Sequence, residues 1–139
     1  MPKVISLHPK EFDQECTTVW SFVRRGKWAT HKSTYRGNWS PEVVRNLIIR
    51  YSNENDFLLD PMIGGGTTAI ECKILNRNLL ALDVNPHAIE LTSKALEFES
   101  ECDPKIKLAI NDSRRLSMLQ DDSIDFILNH PPYVDIIKY

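Results

Sequence analysis

The chain has 139 residues, of which 42% are hydrophobic and 26% charged, and its formal net charge is −2. That length holds one domain, the composition is that of a globular protein, and the charge excludes a global positive field drawing the chain onto nucleic acid. There is no run of 18 apolar residues and no signal-peptide core at the N-terminus, and Cys16, Cys72 and Cys102 lack metal-site spacing, so they read as reduced thiols of a cytoplasmic protein with no membrane span.

Residues 1–39 read as an irregular basic and aromatic arm, with a short helix expected near 9–15. The arm holds Trp20, Trp28 and Trp39, which read as packing residues, and the cations Arg24, Arg25, Lys27, His31, Lys32 and Arg36. These cations have two readings, contact with phosphates or a solvated face. Ser40-Pro41-Glu42 then opens a helix: Ser is a good N-cap, Pro fits the first helical position, and Glu suits the positive end of the dipole. Val43, Val44, Leu47, Ile48 and Tyr51 continue it at helical spacing, and Asn53-Glu54-Asn55 ends it. A strand is predicted at 56–60, a glycine cluster at 64–66, a helix at 67–76, a strand at 78–83, a helix at 86–98, and strands at 105–110 and 124–128. Strand–helix alternation predicts an α/β fold with a parallel sheet and right-handed crossover helices. Residues 40–139 would form its cofactor-binding part.

The segment Asp60-Pro61-Met62-Ile63-Gly64-Gly65-Gly66-Thr67-Thr68 carries the strongest signal. Glycines let a backbone turn sharply after a strand and approach a ligand at the carboxyl edge of the sheet. Asp60 ends the first strand, where its carboxylate can meet the cationic methionine part of S-adenosylmethionine. Asp83, in Leu82-Asp83-Val84-Asn85-Pro86, ends the second strand about 20 residues beyond the glycines, the position that bonds ribose hydroxyls. Asp112 follows the third strand, either to serve an adenine amino group or to cap its own turn. The candidate cofactor set is Asp60, Pro61, Met62, Gly64, Gly66, Thr67, Asp83, Val84 and Asp112. A P-loop is excluded, because no lysine follows Gly66. A nicotinamide-type G-x-G-x-x-A is formally matched over 64–69, so the turn alone does not fix the cofactor.

The fourth strand runs into Asn129-His130-Pro131-Pro132-Tyr133. Two prolines stop the strand and leave rigid carbonyls directed into the crevice. Such acceptors can hold a base amino group and favour its attack on a methyl sulfonium, while Tyr133 offers a face for an extruded base. The candidate catalytic set is Asn129, His130, Pro131, Pro132 and Tyr133.

With both turns in view, residues 24–139 resemble the amino-type DNA methyltransferases. Those enzymes carry a D-P-F-x-G-x-G-T cofactor turn and a D/N/S-P-P-Y/F amino turn. Met62 replaces the aromatic of the first, and His130 replaces the acceptor of the second. A neutral histidine accepts a hydrogen bond through one ring nitrogen, and a protonated one does not; Asn129 is the alternative acceptor. The resemblance implies a Rossmann-like methyltransferase fold, S-adenosylmethionine as cofactor, DNA as substrate, and no metal. The stretch from Arg24 through Asn38 looks like a lead-in of such enzymes and favours cytosine N4 slightly over adenine N6. His31 would orient cofactor or DNA, or lie at the surface.

By the same resemblance the sheet is incomplete, with four strands in the order 3-2-1-4. The strand at 124–128 is then an exposed apolar edge. Two solutions are expected: a second polypeptide supplying the remaining strands and target recognition, or self-association across that edge. The rivals are an RNA guanine amino methyltransferase and an inactive cofactor-binding remnant.

Overall fold

The computed structural model describes residues 4–133. Seven elements follow in chain order: α1 (Pro41–Tyr51), β1 (Phe57–Asp60), α2 (Thr67–Ile74), β2 (Asn78–Asp83), α3 (Pro86–Ala95), β3 (Ile106–Ile110) and β4 (Phe126–Ile127). The strands form one parallel sheet, as their alternation with helices predicts, in the order β3-β2-β1-β4 that the family resemblance implies. β1 is central: Leu59 lies opposite Leu80 on one side and Ile127 on the other. The carboxyl ends of β1, β2 and β4 therefore share one edge of the sheet.

Side chains alternate across a strand, so the short apolar runs feed two cores. Leu58, Leu79 and Ala81 pack with Val44, Ile48, Ala69 and Cys72 under the helices. Leu59, Leu80 and Leu82 face the other way and are covered by Leu116, Leu119 and Ile124. That second layer is loop rather than helix, because Leu116, Leu119 and Ile124 all fall between β3 and β4.

Several boundaries differ from the sequence expectation. No helix forms at 9–15; instead the Glu15 N–H donates to Asn46 Oδ1 at 2.7 Å and its carbonyl accepts from Arg50. Side chains of α1 thus satisfy the arm's backbone there. Ser40 precedes α1 as expected, but its hydroxyl donates to the Glu42 carboxylate and not to the helix backbone. α3 stops at Ala95 because Lys73 Nζ donates to the Leu96 and Phe98 carbonyls at 2.8 and 2.7 Å, which turns Phe98 back into the core. β4 is shorter than 124–128, although Asp125 N–H and Leu128 N–H still donate to Phe57 and Leu59 of β1 at 2.9 Å.

The described part of the arm, residues 4–39, forms no helix or strand and packs into the core. Trp28 is buried against Ile70, Ile74 and Phe98. Its indole Nε1 donates to Glu71 Oε1 at 2.7 Å, and His31 Nε2 lies 2.7 Å from the same oxygen. Arg45 of α1 donates to Glu71 Oε2 at 2.9 Å. Glu71 is wholly buried. A carboxylate so deep persists only when paired and hydrogen-bonded, and here three side chains from two segments, the arm and α1, supply its donors. His31 is accordingly a buried anchor of the arm, not a surface residue.

Candidate cofactor and amino-group site

The turn after β1 is shaped by its own carboxylates. Asp60 Oδ1 accepts the Met62 N–H at 3.0 Å, and Asp83 Oδ2 accepts the Gly64 N–H at 3.0 Å. The other Asp83 oxygen accepts the Asn85 N–H at 2.9 Å, and Asn85 in turn caps α3 through the His87 N–H. Ile63 N–H donates to the Leu82 carbonyl at 2.8 Å, which draws the turn against the end of β2. Gly64 and Gly66 sit at φ +56° and +88°, a region that side chains with a Cβ rarely adopt. Gly66 also lies against Thr92 of α3: an added Cβ would meet its backbone at 3.2 Å.

Gly65 is different. Its conformation is ordinary, but a Cβ there would stand 2.8 Å from both Tyr35 Cβ and Asn38 Nδ2. The arm thus crosses directly over the turn. Thr67 Oγ1 donates to Asn38 Oδ1 at 2.8 Å, which ties the arm to the first residue of α2. In the sequence Tyr35 and Asn38 stand out only as part of the Arg24–Asn38 stretch, and Thr92 not at all. Their contacts are long-range and leave no periodic signal.

Asp60 is almost wholly buried, and burial lifts its carboxyl to about 6, opposed by the neighbouring Thr68 hydroxyl and by the Met62 N–H hydrogen bond. A buried carboxylate that resists ionisation is receptive to a cation that neutralises it. Pro61 is buried, Met62 partly so, and Val84 exposed beside Asp83. Asp112 is turned toward its own loop. Its carboxylate receives the Arg114 guanidinium at 2.6 Å and the Arg114 N–H at 3.0 Å, which hold it down at about 2.

The second turn begins one residue past the sheet, since the Leu128 N–H is the last to reach β1. His130 stacks on Trp39 with ring centroids 5.0 Å apart and planes 9° apart. It also meets Tyr133 edge-on at 5.8 Å, with the tyrosine hydroxyl 3.4 Å from Nε2. Burial depresses the His130 pKa, opposed by a hydrogen bond to the Gly37 backbone. Asn129 and Pro131 are exposed, Pro132 is partly buried, and Tyr133 is 64% exposed. The expected strand at 124–128 leaves an open edge among the described residues, where Ile127 is 56% exposed. Beside it a groove of about 330 Å³ is lined by Trp39, Leu47, Tyr51 and Phe126. Among the described residues no His, Cys, Asp and Glu cluster suits a metal, and no helix is long and apolar enough to cross a membrane.

A family profile described as DNA methylase matches residues 3–94, from the arm through the glycine turn and Asp83. The chain belongs to that family. The chain is 29% identical over 120 residues to Type II methyltransferase M.HpaI of Haemophilus parainfluenzae, covering 82% of this chain and 36% of the relative. It is 31% identical over 75 residues to Type II methyltransferase M2.DpnII of Streptococcus pneumoniae, covering 54% of this chain and 27% of the relative. The chain thus spans about a third or less of the length of these relatives. A solved SAM-dependent methyltransferase from Methanosarcina mazei superposes on 58% of the chain and 39% of its own length, with a TM-score of 0.52 and 26% identity. The sheet is accordingly that of an incomplete Rossmann-like methyltransferase fold. The profile stops short of the amino turn, so His130 and Tyr133 rest on their own geometry.

Proposed function

We propose that the chain carries the cofactor-binding and amino-presenting part of a DNA methyltransferase that uses S-adenosylmethionine. The observation that carries this reading is the position of β1 between β2 and β4. It sets the Asp60 turn, Asp83 and the Asn129–Tyr133 turn side by side at one edge of the sheet. Nearly every chemical element of an amino methylation is then within one crevice.

The residues suit the cofactor. Asp60 is buried and accepts from the neutral Met62 N–H, so that a sulfonium–ammonium ligand supplies compensating charge. Gly64 and Gly66 keep the turn free of side chains, and Asp83 retains lone pairs for ribose hydroxyls beyond its two backbone bonds. The bound cofactor supplies an electrophilic methyl group. The chain does the rest. The carbonyls of the proline turn and one nitrogen of His130 accept the N–H bonds of the target amino group. This draws the nitrogen lone pair out of ring conjugation and stabilises the positive charge that develops on it. Depression of the His130 pKa supports this role, since only the neutral ring accepts. Tyr133, largely exposed, is free to stack on an extruded base.

Cytosine N4 is favoured over adenine N6, on the resemblance of the Arg24–Asn38 lead-in. The open β4 edge supports further strands pairing there, from a second polypeptide or a second copy. Titration calorimetry with S-adenosylmethionine tests the first half: the chain binds, and Asp83→Ala binds at least about tenfold more weakly. No binding by the wild-type chain overturns it. Nucleoside analysis of DNA treated with the completed enzyme tests the second half, with N4-methylcytosine expected.

A further inference from the structure

We infer that Lys32 and Arg36, both from the arm, are phosphate contacts: they hold the DNA backbone at the rim of the crevice, beside the extruded base. This rests on the reading of the chain as part of a DNA methyltransferase.

Charge on the arm is segregated. Between Glu15 and Glu42 lie five of the chain's 17 Lys and Arg residues and none of its 19 Asp and Glu residues, although the net charge is −2. A solvated face with no partner ordinarily mixes both signs. Arg25 turns inward and donates to the Asn38 carbonyl at 3.3 Å. Arg24, Lys27, Lys32 and Arg36 are exposed, and among the described residues none of the four joins an ion pair.

The fold carries two of these cations to the crevice. The Asn38 N–H donates to the Tyr35 carbonyl at 3.2 Å and Gly37 sits at φ +81°, which closes a tight turn over residues 35–38 with Arg36 at its tip. Asn38 Nδ2 donates to the Lys32 carbonyl at 3.3 Å, so Lys32 stands beside the same turn. Tyr35 and Asn38 press on Gly65, and Thr67 donates to Asn38, which brace the turn against the cofactor side. On the other side Trp39 lies on His130 of the amino turn. Lys32 and Arg36 are thus seated on a braced turn between the two halves of the site.

A base extruded into the crevice brings its own flanking phosphates to that rim. The crevice itself offers those phosphates the carboxylates of Asp60 and Asp83, the wrong sign for a polyanion. The arm supplies the opposite sign. Such contacts release counterions and fix the position of the duplex without reading its sequence.

Fluorescence anisotropy of a labelled DNA duplex, titrated with the 139-residue chain at a series of salt concentrations, tests this without methyl transfer. Lys32→Ala and Arg36→Ala are each expected to reduce the slope of log affinity against log salt by about 0.9, the loss of one phosphate contact. Lys107→Ala removes an exposed cation from β3, the strand at the far edge of the sheet, and is expected to leave the slope unchanged. An equal reduction in all three variants reports net charge alone and overturns the inference. So do slopes that ignore Lys32 and Arg36, or a loss of S-adenosylmethionine affinity in their place. Unlabelled transfer RNA displacing the duplex more readily than unlabelled DNA overturns the choice of DNA. Cofactor binding by a wild-type chain that binds no duplex overturns the inference alone, whereas absence of both overturns the reading on which it rests.

Discussion

Asp83 holds Gly64: its Oδ2 accepts the Gly64 backbone N–H at 3.0 Å, across the gap between the ends of β2 and β1. The acid expected to bond ribose is therefore also the brace of the glycine turn. Asp83→Ala strands two backbone donors, those of Gly64 and Asn85. A fully buried donor left without a partner costs about 1–3 kcal/mol, and these two, being part-buried, cost less each. Asp83→Asn keeps one acceptor oxygen. Thermal melts are expected to rank the chain as wild type, then Asp83→Asn, then Asp83→Ala. Equal melting temperatures for the two variants would contradict the bracing role.

Asp60 makes the chain's stability and its cofactor affinity respond to pH in opposite senses. Its folded pKa, about 6, lies above the ordinary 3.8, so between those values the folded chain binds more protons than the unfolded one. The contribution of the neutral carboxyl is complete below pH 3.8 and is lost as pH rises through 6. Binding of a cation needs the ionised form, so affinity for S-adenosylmethionine is expected to climb across the same interval. Asp60→Asn keeps an acceptor for the Met62 N–H and abolishes the titration. It is expected to stabilise the ligand-free chain at pH 8 by roughly 1–3 kcal/mol, with cofactor affinity then flat between pH 5 and 8. Denaturant melts and calorimetry at the two pH values check both.

Glu71 is the anchor of the arm. Glu71→Ala removes the common partner of Trp28, His31 and Arg45 and leaves the Arg45 charge buried. Breaking one side of a buried ion pair costs about 3–5 kcal/mol. Limited proteolysis is expected to cut the variant between Arg24 and Arg36 at protease levels that spare the wild type. Protection equal to wild type would show that the arm is held by other means.

The sheet's helix-side core gives a measure of packing alone. Leu58 and Ile48 are fully buried, and Leu58→Ala is expected to destabilise by about 2–5 kcal/mol. Chemical denaturation reads this change, and cofactor affinity extrapolated to the folded fraction is expected to be unaltered.

The sheet was legible because its signals are local. Asp60 closes a four-residue apolar strand, glycines follow at once, and Asp83 closes the next strand. The order of the strands comes from the resemblance to the amino-type methyltransferases, which implies 3-2-1-4, and β3-β2-β1-β4 is the one observed. What escaped notice was whatever depends on contact between distant segments. Nothing near Glu71 in the sequence announces that Trp28, His31 and Arg45 converge on it. Nothing in the arm announces that Tyr35 and Asn38 lie over Gly65, or that Trp39 meets His130. The absent helix at 9–15 has the same origin: its backbone groups bond to α1 side chains rather than to one another. Ser40 escaped for a smaller reason, since its hydroxyl found the carboxylate of Glu42 nearer than the helix amides.

The docking of the arm also sets an order of assembly. Synthesis delivers residues 28 and 31 before the carboxylate that receives them, and residue 39 well before the imidazole that lies on it. A nascent chain ending short of Glu71 has nothing in which to seat Trp28, so the arm settles only after the helix that follows it has been made. The arm is thus a fastening over a crevice built after it.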